Sequence, residues 1–64
     1  MPTNTDRVME TLRRLPGLTD DELARQAGVE PREVNQICNY LEILGRLRRV
    51  PGPDGKIINI LIDV

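Results

Sequence analysis

The sequence predicts a small α+β domain, mainly helical, with three helices followed by a C-terminal β-hairpin. Two observations predict it. Apolar residues recur at helical spacing in three stretches before Gly45, each bounded by capping or breaking residues. After Gly45 the pattern changes to two strand-like runs, Arg46–Val50 and Lys56–Ile62, around the turn-forming segment Pro51-Gly52-Pro53-Asp54-Gly55.

The first helix is expected over residues 5–15. Thr3 or Asn4 can cap it, with Asp6 three residues after Thr3 as the return partner of a capping box. Val8, Met9, Leu12 and Leu15 form its buried stripe, and Glu10, Arg13 and Arg14 its solvated side. Pro16-Gly17 ends it. Leu18 is an isolated apolar residue before the next cap, placed to add a short strand to the hairpin. Thr19 and Glu22 then make a second capping box, with Asp20, Asp21 and Glu22 in the first turn, where the helix dipole favours carboxylates.

The second helix, residues 20–27, has a narrow apolar face of Leu23, Ala24 and Ala27, and Gly28 ends it in the left-handed conformation. Val29 plugs the turn. Pro31 suits the first position of the third helix, residues 31–44, so the two helices are joined by a tight helix-turn-helix connection. In that third helix Val34, Ile37, Cys38, Leu41 and Leu44 lie within an arc of roughly 120°. Arg32, Gln36, Asn39 and Ile43 occupy the opposite side, flanked by Asn35 and Tyr40. The hairpin spans about residues 46–62, and Pro51 should end its first strand. No linker, repeat or low-complexity segment divides the chain, so residues 1–64 are expected to form one domain.

Composition narrows the function. The 64 residues include one Tyr and no Phe or Trp, so the core must be aliphatic, and a partner subunit would add to a modest stability. One Cys and no His leave no disulfide and no zinc site, and fit a reducing, cytoplasmic setting. Cys38 falls on the apolar stripe and is expected to be a core residue. Asp20, Asp21 and Glu22 are accounted for by capping, so no metal and no cofactor is expected. No acid and base pair is evident, so the chain is not expected to be an enzyme. The longest apolar run, Ile60–Ile62, is far short of a membrane span, and no leader segment opens the chain.

Net charge is −1, but its distribution is uneven. Residues 1–45 hold five Arg and eight Asp or Glu, whereas residues 46–64 hold three Arg and one Lys against two Asp. The first segment is therefore at −3 and the second at +2. Arg46, Arg48, Arg49 and Lys56 make the hairpin basic, which suits phosphate oxygens as well as it suits protection of a strand edge.

Three helices, a tight second-to-third turn and a hairpin directly after the third helix resemble the winged helix-turn-helix domain over residues 5–62. The string LTDDELARQAGVEPREVNQICNYLEILGRLRR looks like the core of MarR-type bacterial regulators. The resemblance implies double-stranded DNA as partner and transcriptional regulation as role, with the third helix in the major groove and the wing on the backbone. Carried to matching positions, it implicates Arg32, Asn35, Gln36 and Asn39 in the groove, and Arg48, Arg49 and Lys56 on phosphate. Asn and Gln can pair with adenine N6 and N7, and Arg32 can reach guanine or phosphate. The long dimerisation helices of full-length MarR proteins have no counterpart in these residues, so no small-molecule ligand is expected.

Lys56–Val64 (KIINILIDV) is apolar on both strand faces, with Ile58, Ile60, Ile62 and Val64 on one and Ile57 and Leu61 on the other. Ile43, Ile57 and Leu61 are the expected interface with a second copy or an adjoining domain. The alternative function is a protein-interaction winged helix that binds no DNA. One aromatic ring is no stacking platform, which disfavours single-stranded nucleic acid.

Overall fold

The computed structural model describes residues 2–62. Its elements run α1 (Asn4–Arg14), β1 (Leu18–Thr19), α2 (Asp20–Ala27), α3 (Pro31–Ile43), β2 (Leu47–Pro51) and β3 (Ile57–Leu61). This is the expected mainly helical α+β architecture, a three-helix winged helix whose strands form an antiparallel sheet in the order β1-β3-β2. Leu18 does add the short strand, pairing with Asn59 on the side of β3 away from β2.

Local chemistry sets the helix ends. Both capping boxes form: Thr3 with Asp6 opens α1, and Thr19 with Glu22 opens α2. Gly28 closes α2 at φ 69°, and its N–H donates to the Ala24 carbonyl at 3.0 Å. Pro31 starts α3, and the Asn4 side-chain amide donates to the Glu33 carboxylate, tying the start of α1 to α3.

The core is aliphatic, as the composition requires. Val8, Leu12, Leu23, Val34, Cys38, Leu41 and Leu47 are the most deeply buried apolar residues, with Met9, Ala24 and Val29 beside them. Leu18, Ala27, Ile37 and Leu61 pack against this cluster. Fully burying a Leu or Val contributes roughly 1.5–3 kcal/mol, so this set supplies the main force holding three helices on the sheet.

Three side chains depart from the expected burial. Leu15 is 41% exposed because α1 stops at Arg14: Leu15 takes a non-helical cap conformation ahead of Pro16, which disfavours the helical region in the residue before it. Thr11 is buried on α1, its hydroxyl donating to the Arg7 carbonyl at 2.8 Å. Leu44 is half exposed, because α3 ends at Ile43 and Gly45 turns the chain toward β2, where Leu47 enters the core.

A further departure concerns β3. Leu61 is an expected interface residue, but it pairs with the buried Leu47 and packs against the core. The inward face of β3 therefore carries Asn59 and Leu61, and Ile58 and Ile60 lie on the other side. Ile57 is inward by alternation but sits toward the turn, beyond the core, and is 43% exposed. Val64, expected on the face of Ile58 and Ile60, lies outside the described residues. Among the described residues no helix is long and apolar enough to cross a membrane.

Candidate nucleic-acid interface

The expected reading face of α3 is open to solvent: Arg32, Asn35, Gln36 and Asn39 are all exposed. The helix has 13 residues, about 20 Å at 1.5 Å per residue, enough to lie along a major groove. Tyr40, Ile43 and Leu44 continue its C-terminal end with exposed apolar surface, Ile43 being 83% exposed.

The four basic residues of the hairpin do not form one patch. Arg46 lines a groove between α1 and the end of α2, together with Arg7, Arg13 and Arg14. Arg48 is exposed on β2 opposite Ile60. Arg49 and Lys56 line a second groove, between the start of α2 and the hairpin turn, with Asp20, Asp21, Glu22, Arg25 and Asp54. Period-two alternation separates Arg48 from Arg49, which must point to opposite faces of the sheet.

Among the described residues, Arg49 is the hairpin cation whose charge is paired. Its guanidinium donates to Asp20 Oδ2 at 2.9 Å and to Asn59 Oδ1 at 3.2 Å, and its side chain is only 13% exposed. Burial works against the Arg49 charge, but the hydrogen bond and charge of Asp20 outweigh it and raise its pKa. Phosphate binding through Arg49 would therefore compete with this ion pair, whereas Arg32, Arg48 and Lys56 are exposed.

Asp20 is the centre of a wider network. Besides Arg49, Asp20 Oδ2 accepts from Asn35 Nδ2 at 3.0 Å, and Asp20 Oδ1 accepts from Asn59 Nδ2 at 2.7 Å. Asn59 Nδ2 also donates to the Leu18 carbonyl at 3.0 Å, and Asn35 Oδ1 accepts from Asn39 Nδ2 at 3.3 Å. Burial tends to raise the Asp20 carboxyl, but hydrogen bonds from Arg49, Asn35 and Asn59, with the Arg49 charge, hold it below its ordinary range. The start of α2, the exposed polar face of α3 and both strands of the wing are thus joined through one carboxylate.

In the sequence Asp20 is legible only as a first-turn carboxylate, and Asn59 carries no evident role. The signal for Asn59 was present: a single amide amid isoleucines in an apolar strand, which is tolerated in a core only with its hydrogen bonds made. Asn59 has no exposed surface, and no buried side-chain polar atom among the described residues lacks a partner.

Cys38 is fully buried, and desolvation, the dominant cause, pushes its thiol up to about 11, far from a reactive thiolate. Among the described residues no group of His, Cys, Asp and Glu is arranged to hold a metal ion.

No curated protein and no solved structure matches the chain. A family model, the DprA winged helix domain, matches residues 4–53, which span α1 to the start of the hairpin turn. That match carries the winged-helix part of the resemblance and names a type other than MarR. The chain belongs to the DprA winged helix domain family.

Proposed function

We propose that this domain binds double-stranded DNA, with α3 in the major groove and the wing against the backbone. The observation that carries the reading is the exposed run Arg32, Asn35, Gln36 and Asn39 on one helix, all capable of contacting base edges or phosphate. Arg48 and Lys56 add exposed cations on the wing. Such a module serves as a transcriptional regulator, or as the targeting part of a larger protein, and a dimer would double its contacts with a two-fold symmetric site.

Anisotropy titration with random and selected duplexes tests this reading at about 50 mM salt, where phosphate contacts are strong. Binding is expected, and Gln36→Ala should narrow the gap between selected and random duplex by about ten-fold while leaving random-duplex affinity in place. Absence of binding at that salt overturns the reading.

A second reading has its own observation. Tyr40, Ile43 and Leu44 expose apolar surface at the end of α3, which suits protein contact by a winged helix that binds no DNA. The same titration separates the two, since that module would leave both duplexes unbound.

A further inference from the structure

Resting on the DNA-binding reading, we infer that Asp20, on α2, is a positioning residue that sets the base preference of α3 by fixing the amide polarity of Asn35 and Asn39. An ionised carboxylate only accepts hydrogen bonds. Asn35 must therefore turn its Nδ2 toward Asp20, 3.0 Å away, which leaves its Oδ1 facing the next turn of the helix. There it accepts from Asn39 Nδ2 at 3.3 Å. Each amide's orientation follows from the one before, and the chain is anchored at a group with no donor to offer.

The consequence falls on Asn39. One of its N–H groups is used by Asn35, and its Oδ1 and second N–H remain for a ligand. An outward carbonyl beside an outward N–H is the pair that accepts from adenine N6 and donates to N7. A neutral amide at position 20 can present either end to Asn35, so the polarity of the chain is no longer dictated.

Asp20 has a second hold on recognition. It keeps the Arg49 guanidinium in an ion pair at 2.9 Å, away from phosphate. One carboxylate therefore favours sequence reading and restrains sequence-independent attraction.

The test enriches bound duplexes from a random pool with the intact chain, with Asp20→Asn and with Asn39→Ala, then measures affinity across salt. Asp20→Asn should lose about ten-fold of the adenine preference at the position that Asn39 reads, with random-duplex affinity unchanged or raised. Its log–log salt slope should steepen by about one as Arg49 is released. Adding Asn39→Ala to Asp20→Asn should cost little further preference, because both act through one contact. An undiminished adenine preference in Asp20→Asn overturns the inference alone. A wild-type chain without duplex binding overturns the DNA reading itself, and the inference with it. Should Asp20→Asn not fold, Asn35→Ala cuts the chain between Asp20 and Asn39 without touching Arg49. It should give the same loss of preference with an unchanged salt slope, and retained preference there is equally decisive against the inference.

Discussion

Asp20 accepts hydrogen bonds from Asn35, Arg49 and Asn59, side chains that lie on α3, β2 and β3. Truncating it leaves Arg49 without its counter-charge and Asn59 with one donor bond to the Leu18 carbonyl. Asp20→Ala is therefore expected to destabilise the fold by about 2 kcal/mol, read from urea unfolding at neutral pH. The pH dependence has a definite sign. The folded pKa of Asp20 lies below its ordinary 3.8, so its stabilisation is complete above that value and is lost as pH falls through the folded value. The stability gap between wild type and Asp20→Ala should stay constant from neutrality down to about pH 5 and close at lower pH. A gap that closed between pH 7 and 5 would mean that another group carries the effect.

At the scale of elements, the hairpin turn is a sharper test of packing than the helix ends. A Cβ on Gly52 would meet Ile58 Cγ2 at 3.0 Å and the Lys56 carbonyl oxygen at 3.2 Å, the same carbonyl that accepts the Gly52 N–H at 2.7 Å. The methyl is in conflict with the wing's own closing hydrogen bond. Gly52→Ala should cost about 1–2 kcal/mol, with amide exchange accelerated first in the β2–β3 ladder and last in the helical core. Uniform acceleration would show that the wing and helices open as one unit.

The helices were legible because what ends them is local. Thr19, Glu22, Gly28 and Pro31 act within a few residues of one another, and each took the expected place. The faces of β3 were not legible. With isoleucines on both sides, alternation leaves two solutions, and only pairing with Leu47 decides that Leu61 turns inward. The candidate site was legible to the same depth. Exposure of Arg32, Gln36 and Asn39 follows from helical period, but the pairing of Arg49 with Asp20 joins residues 29 positions apart and has no local signature.

For the molecule as a whole, the proposed DNA binding turns on which cations are exposed. The chain carries nine Arg and Lys against ten Asp and Glu, so no broad positive field draws it to phosphate. Attraction must come from individual side chains, and Arg32, Arg48 and Lys56 are the exposed cations of α3, β2 and the hairpin turn. Each phosphate neutralised contributes about −0.9 to the slope of log K against log salt, so three contacts give a slope near −3 and an affinity that falls about six- to eight-fold per doubling of salt. Arg48→Ala and Lys56→Ala should each flatten the slope by about one. Arg49→Ala should leave the slope unchanged while lowering stability, because its charge is already spent on Asp20. A flattening by Arg49→Ala equal to that of Arg48→Ala would mean that Arg49 exchanges its carboxylate for phosphate on binding, and that the wing separates from α2 when DNA arrives.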